Sequence, residues 1–396
     1  MINWLFGSRT ARQAGDMCKH VRKIFNAQRD ILSPPALNAV EAAMRDTQKA
    51  IREKAGEEGL KKQMANLEAA ANKWFKPYPN ASIRENVEVL LVALAVAMGI
   101  RTFFAQPFKI PTGSMQPTLF GITSKNLKGD STAQIPGVFA RIFDGAVRGT
   151  FYHYLAAEDD GELVRIGPVE PVFRFIHKAS ITMRYPSGEK TYQFWCVPED
   201  KFGDRAGIEE GQKFQKGEEI VKFKDLAGDH LFVDRLTYNF RRPTRGEIIV
   251  FETRGIDNLP QDQFYIKRMV AMGDDQVQIG NDRHLIINGK HLDKTTPHFE
   301  NVYSFNPQEP PLESHYSGHV NQFVAGEFGY HFNIAPLFPD QSKVYSVTPD
   351  HYMVMGDNTM NSYDSRAWGD FPQTNVIGKY FFVYWPFSQR FGWGLK

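Results

Sequence analysis

Cysteine is nearly absent from this 396-residue chain, with only Cys18 and Cys196, far apart and in no Cys-x-x-Cys pair. That scarcity removes thiolate zinc sites and a disulfide scaffold, so any chemistry must use other groups. An excess of one charge is also lacking. The 47 basic and 45 acidic side chains leave a formal net charge of +2, which makes nucleic acid a poor partner. Long apolar runs are few, and a mean hydropathy of −0.41 excludes a polytopic membrane protein. Hydrophobic residues at 42% exclude a mainly disordered chain. There is no internal repeat, no low-complexity tract and no strand–helix alternation of the kind that builds a parallel doubly wound sheet. At about 150 residues per domain, the length favours two or three folded units.

What is present begins with helices. Leu37, Val40, Met44 and Ile51, then Leu60, Met64, Leu67, Ala71 and Trp74, follow three-and-four spacing and mark the apolar stripes of two helices. Ser33-Pro34-Pro35 supplies a helix start, and Gly56 and Gly59 break the pattern. The expectation is an antiparallel hairpin, preceded by a shorter helix carrying Met17, Val21 and Ile24, which packs and carries no chemistry. Val89 to Ile100 is free of charge, but twelve residues cover only ~18 Å against a ~30 Å hydrocarbon core. Extended from Val87 to Phe108, with Glu88 and Arg101 snorkelling, the stretch is long enough for one membrane span. On the residues alone, a buried core helix stays open as the other reading. Lys73, Lys76 and Arg84 before the stretch, against Arg101 and Lys109 after it, place the N-terminal side in the cytoplasm. Met1 to Phe6 has neither the basic region nor the apolar length of a secretory signal peptide.

Beyond Phe108 the texture is that of a β-protein, with short Val/Ile/Phe/Tyr runs between turn signals such as Pro186-Ser187-Gly188 and Asn288-Gly289. Three segments there hold candidate chemistry. In Ile110-Pro-Thr-Gly-Ser-Met-Gln-Pro-Thr-Leu119, two prolines and a glycine force an irregular backbone that can present the Ser114 hydroxyl, although such a serine is most often a turn residue. In Gln263 to Met272, alternation puts Lys267 on one strand face with Tyr265, Met269 and Ala271, and Arg268 on the other. Burial there would lower the lysine's pKa and make it a general base, whereas the wet face of an edge strand would leave it an ordinary lysine. Met355 to Gly369 is dense in Asp, Asn, Ser and Gly, a loop that bonds its own backbone, with Asp364 and Arg366 close enough to pair. His315 and His319 have the spacing of a helical metal pair but no helical periodicity around them, so they read as part of a solvated loop.

Together, and in order, these segments resemble the bacterial type I signal peptidases, membrane-anchored serine proteases with a Ser-Lys dyad. The resemblance rests on the apolar stretch, Ile110 to Leu119, Arg242-Pro-Thr-Arg-Gly-Glu-Ile-Ile-Val-Phe251, Tyr265-Ile-Lys-Arg268, Gly356 to Gly369, and Gly378-Lys-Tyr-Phe-Phe-Val-Tyr-Trp-Pro386. It implies a mainly β catalytic region of antiparallel sheets with an N-terminal helical hairpin and one transmembrane helix. The corresponding divisions are 1–85 helical, 86–107 span, 108–121 serine segment, 122–227 β-rich insertion, 228–287 lysine-bearing β domain, 288–345 variable second β domain and 346–396 the C-terminal part.

By the same resemblance Ser114 is the nucleophile and Lys267 the general base, and the oxyanion hole is made by Thr112 and Ser114. Ser362 orients the lysine, Asp364 and Arg366 form a supporting ion pair, and Met115 lines the substrate pocket. No cofactor and no metal are implied. The implied partners are signal peptides of exported preproteins, the lipid bilayer and the protein export machinery, with the catalytic domain on the outer face of the bacterial cytoplasmic membrane. Two departures stand out: Ala271-Met-Gly-Asp-Asp275 follows the lysine where the family has Gly-Leu-Pro-Gly-Asp, and Thr359-Met360 replaces a more polar pair. The competing readings are a Ser-Lys peptidase with a narrow or self-cleaving role, and a catalytically silent, membrane-tethered binding protein.

Overall fold

A computed structural model of the chain describes residues 9–76, 81–173, 176–196 and 202–394, so Met1 to Phe6 lies outside it. The chain divides into two units, the first ending at Ala95 and the second running from Val96 to the end.

Helices α1 (Arg9–Gln28), α2 (Pro34–Arg52) and α3 (Glu57–Trp74) open the first unit. Their stripes meet in one core, where Cys18, Val21 and Phe25 pack with Ala36, Val40, Met44 and Leu67. The first helix is not the shorter one expected: it has 20 residues against 19 and 18. Its buried line is Ala14, Cys18, Val21 and Phe25, which leaves Ile24 at the flank. Gln28, 1% exposed, fastens the end of α1 to the end of α3, its Nε2 donating to the Lys76 carbonyl at 2.8 Å and its Oε1 accepting from the Lys76 amide at 3.0 Å.

Helix α4 (Ala81–Phe103) contains a stretch, Ser82–Phe103, long and apolar enough to cross a membrane, and its apolar side chains are exposed along its length. It stops short of the expected residue 107 because Ala105 is already in a sheet, paired with Asp234.

The main sheet of the second unit contains β1 (Ala105–Lys109), β2 (His230–Asp234), β3 (Ile248–Glu252), β4 (Phe264–Met272), β5 (His351–Met355), β6 (Phe371–Pro372), β7 (Val376–Trp385) and β8 (Gly392–Trp393). Their spatial order is β1-β2-β7-β3-β4-β5-β6, antiparallel throughout, with β8 paired to β7. Both faces are covered, which explains the unbroken apolar run of β3. Ile248 and Val250 pack with Met115, Leu119, Leu231 and Val383, while Ile249 and Phe251 pack with Met269, Val354 and Phe371 on the other side. Alternation along β4 fails at one point. A register shift between Met269 and Ala271 moves Ala271 into the core that holds Val270, away from the lysine's face.

The insertion leaves and returns at one place, where the Asp229 amide donates to the Phe120 carbonyl and the Phe120 amide to Asp229 Oδ2, both at 2.8 Å. Between them lie a three-stranded sheet (Thr123–Asn126, Thr150–Ala156, Glu219–Leu226) and a five-stranded sheet that includes Ile176–Tyr185 and Gly188–Cys196. They share a core of Leu163, Ile181, Met183, Phe202 and Phe223. A small four-stranded sheet follows β4, and there Asn288 and Gly289, at φ 53 and 79, turn Leu285–Ile287 back onto Lys290–His291.

Candidate active site

The serine segment is shaped by backbone packing. Thr112 is extended, and Gly113–Met115 forms one 3-10 turn, placing the Ser114 amide among the first-turn donors that a helix start leaves unpaired internally. Gly121 lies so close behind that a Cβ there would fall 2.2 Å from the Thr112 carbonyl, so only glycine permits the approach. From the other side, the Asn358 amide donates to the Ser114 carbonyl and Asn358 Nδ2 to the Gly113 carbonyl, each at 3.1 Å. Gly356 completes the grip, since a Cβ there would lie 2.4 Å from the Ser114 carbonyl oxygen and 2.3 Å from Ser362 Oγ.

Lys267 stands opposite Ile249 in the β3–β4 pairing and is 5% exposed. Its Nζ is 2.7 Å from Ser114 Oγ in a buried hydrogen bond between residues 153 positions apart. Among the described residues no carboxylate forms an ion pair with it. Burial pulls its pKa down to about 8, against the opposing pull of the Asp364 and Asp357 charges and with a further push from Arg366. The Tyr265 ring lies 5.6 Å from Nζ, so the two share a face as alternation required.

Around this pair the other expected residues fall differently. The Thr112 hydroxyl reaches Ser114 Oγ at 3.5 Å. Asp364 and Arg366 are 0% exposed and bonded through both carboxylate oxygens, at 2.8 and 3.0 Å, and Asp364 Oδ2 also accepts from the Gly356 amide at 2.9 Å. The ion pair therefore fixes the loop that abuts the Ser114 carbonyl. Ser362 borders the same cleft, and among the described residues its Oγ forms no hydrogen bond to the lysine. Met115 is 0% exposed and packs with Ile110, Leu119 and Leu231. At three residues per turn, the residue after Ser114 is swung toward the core. The cleft, about 670 Å³, takes its apolar walls from Phe264, Tyr265, Ile266, Phe332, Ile334 and Met360.

Two features escaped sequence reasoning. Arg268, on the opposite face of β4, holds Asp357 with two bonds at 2.7 and 2.6 Å, and Asp357 Oδ2 also accepts from Thr118 Oγ1 at 2.5 Å. Both residues sit in the motifs quoted above, but nothing in their spacing announces the pair. His319 is not in a solvated loop: it is 0% exposed, bonded to the Tyr303 hydroxyl at 3.1 Å, and burial together with the Arg366 charge pushes its pKa down to about 3. His315 is exposed. Thr359-Met360 has a structural use, because the Thr359 hydroxyl accepts from Arg366 Nη1 at 2.8 Å and from the Val320 amide at 2.9 Å, while Met360 packs on Val320 and Val324. The altered turn after Lys267 is tied by Asp275, which accepts from the Met272 amide at 2.9 Å and from Arg245 at 2.8 Å.

The family model described as signal peptidase, peptidase S26 matches residues 83–124 and 224–385, just over half of the chain and on either side of the insertion. The chain is 27% identical over 166 residues to a signal peptidase I of Leptolyngbya laminosa, covering 41% of this chain and 63% of that protein. It is 28% identical over 161 residues to a probable signal peptidase I-2 of Synechocystis, covering 40% and 56%. It is 29% identical over 163 residues to a signal peptidase I of Bacillus caldolyticus, covering 41% and 73%. The chain thus spans less than two thirds of the length of the first two relatives. A crystal structure of a signal peptidase I from Enterococcus faecalis aligns at 20% identity with a TM-score of 0.21, covering 35% of this chain and 97% of that one.

Proposed function

The chain belongs to the signal peptidase family S26, and from that premise we propose that it is a serine endopeptidase that removes N-terminal signal peptides from exported preproteins. The observation that carries the reading is the 2.7 Å hydrogen bond between Ser114 Oγ and Lys267 Nζ. A lysine can take a proton only when neutral, and burial, with no ion pair among the described residues, favours the neutral form.

The sequence of steps follows from these groups. Neutral Lys267 accepts the Ser114 hydroxyl proton as Oγ attacks the scissile carbonyl, and the oxyanion that develops is met by the Ser114 amide and the Thr112 hydroxyl. The resulting ammonium returns its proton to the leaving amine, and water then releases the acyl group with the lysine again acting as base. Asp364 and Arg366 hold the loop against Ser114, and Ser362 borders the same cleft. Helix α4 anchors the enzyme in the bacterial cytoplasmic membrane, with the basic excess before it keeping the N-terminal side cytoplasmic, so the cleft meets a signal peptide where it leaves the outer face of the bilayer. Small residues at the first and third positions before the cut fit this reading.

The test is purification of the full chain in detergent, incubation with a preprotein and mass analysis of the products. Cleavage at the signal-peptide boundary is expected, and it should be lost in both Ser114→Ala and Lys267→Ala. Near-normal turnover by either variant, or cleavage after Phe or Arg as efficient as after Ala, would overturn the reading.

A further inference from the structure

Inside the insertion, the six-residue helix α5 (Val138–Phe143) buries none of its side chains. Phe139 is 89% exposed, and Val138, Ile142 and Phe143 are each more than half exposed. Positions 138, 139, 142 and 143 have the three-and-four spacing of one helix face, so the face that a soluble protein would turn to its core is turned outward. So short a helix gains little from its own hydrogen bonds, and it ordinarily owes its stability to packing of that face. The helix is nonetheless held at its end. In the wide turn that follows, Asp144–Arg148, the Ala146 carbonyl accepts from Trp385 Nε1 at 2.7 Å and the Val147 carbonyl from the Phe387 amide at 2.9 Å.

What covers the face follows from what it adjoins. The last turns of α4, from Val96 to Phe103, belong to the second unit, and β1 begins two residues later. Residues directly opposite each other in antiparallel strands share a sheet face. The register sets Pro107 of β1 opposite Phe232 of β2, Phe232 opposite Phe382 of β7, and Phe382 opposite Trp393 of β8. Phe108, Leu231 and Val383 line up on the other face, in the core. The outer row is exposed or half-buried throughout. From Phe382 it continues to Phe391 at 5.6 Å and from there to Phe387 at 4.7 Å, and the Phe387 amide is the one bonded to Val147. An apolar belt thus joins the end of α4 to α5. Arg141 interrupts the apolar residues of α5, and among the described residues it forms no ion pair. Bulky apolar side chains beside an uncompensated arginine are the composition of a helix lying at a lipid–water boundary.

We infer that α5 lies in the interfacial layer of the bilayer, its Val138, Phe139, Ile142 and Phe143 face among the acyl chains and Arg141 at the level of anionic headgroups. The insertion thereby gives the second unit a hold on the membrane besides α4. The inference rests on α4 anchoring the chain as proposed above, since a tethered surface meets lipid at high effective concentration before it meets any other partner.

The experiment uses the full chain with Cys18→Ala and Cys196→Ala, reconstituted in vesicles of phosphatidylcholine and phosphatidylglycerol and carrying one nitroxide label at a time. Labels go on Phe139→Cys and Phe143→Cys, on Leu94→Cys within α4, and on Ser187→Cys at an exposed turn of the insertion. Collision with oxygen, which concentrates in lipid, is compared with collision with a water-soluble nickel chelate. The oxygen-to-nickel ratio at 139 and 143 should exceed that at 187 by about tenfold or more and resemble that at 94. Phe139→Asp should lower the ratio at 143 by about fivefold or more, because a carboxylate beside the acyl chains lifts the helix out. Ratios at 139 and 143 equal to that at 187, with 94 in lipid, would overturn the inference and leave the anchor standing. A water-like ratio at 94 as well would overturn the anchor and the inference together. Slow collision with both reagents at 139 would mean that protein, such as a second copy of the chain, covers the face, and would overturn the inference too.

Discussion

The catalytic sheet and the insertion each bury an aspartate at 0% exposure within a ring of donors. In the insertion Asp225 accepts from Ser124 at 2.5 Å, lies 3.1 Å from His153 and accepts from Arg205 at 3.0 Å. Serine, histidine and aspartate are all present, but the serine hydroxyl is spent on the carboxylate, and among the described residues no hydroxyl bonds the histidine. In the catalytic sheet the aspartates satisfy arginines, and the lysine, with no ion pair among the described residues, is left to the serine. A buried charged network is therefore no sign of reactivity by itself. What distinguishes the site is a buried lysine whose hydrogen bond, among the described residues, goes to a serine hydroxyl.

The sharpest way to break this comparison is to remove one group from each cluster. Ser114→Ala and Lys267→Ala should each lower the cleavage rate by roughly a thousandfold or more, since the two act as one unit. Asp225→Ala should leave the rate of the remaining folded enzyme within about twofold, because nothing in that cluster touches the cleft. A large rate loss in Asp225→Ala, measured per folded molecule, would erase the distinction.

The next effect is on stability, and here the two clusters should behave alike. Asp364→Ala strands Arg366 and Asp225→Ala removes the acceptor that Ser124 and Arg205 share, and breaking a buried pair costs about 3–5 kcal/mol. Denaturant melts would show this, and a loss under about 1 kcal/mol in either would mean that water replaces the carboxylate.

Lys267 sharpens the contrast through pH. Its folded pKa, about 8, is below the ordinary lysine value of 10.5, so the folded state prefers the neutral amine. Between these values the unfolded chain binds more protons, and this group's contribution makes stability rise with pH from about 8 to 10.5. Below 8 the penalty is fully present. The cleavage rate should accordingly climb about tenfold per pH unit below the folded pKa and level off above it. Lys267→Met should flatten the stability slope and raise Tm at neutral pH, and a rate already maximal in mild acid would contradict the lysine's role.

The smallest effect belongs to Ser362. Among the described residues its hydroxyl makes no well-formed hydrogen bond, so Ser362→Ala should leave stability within about 0.5 kcal/mol and lower the cleavage rate far less than either dyad variant, with KM unchanged. A loss as large as that of Lys267→Ala would show that the hydroxyl turns toward the lysine during the reaction.

Local patterns in the sequence reached some of this and not the rest. Alternation along Gln263 to Met272 put Lys267 and Arg268 on opposite faces because strand geometry repeats every two residues, but it could not foresee the register shift that moves Ala271. The helices of the first unit were legible in their stripes, and the helix spanning Ser82 to Phe103 in its composition. The prolines and glycines around Ser114 announced an irregular loop, whereas the inward direction of Met115 depends on a single 3-10 turn. Long-range partners were out of reach of spacing alone. Arg268 and Asp357 are 89 positions apart, and His319 is buried by residues that no local pattern connects to it.

The separation of the dyad along the chain has a consequence in time. Ser114 emerges from the ribosome 153 residues before Lys267, and most of that interval is the insertion, which can close its own sheets meanwhile. At ~5–20 residues per second the gap lasts roughly 8–30 seconds. Throughout it the serine is an ordinary alcohol, and the loop bearing Asp364 and Arg366, which presses on its carbonyl, comes later still. On the proposed mechanism, a nascent chain built in this order becomes active only after Lys267 and the later loop have both emerged.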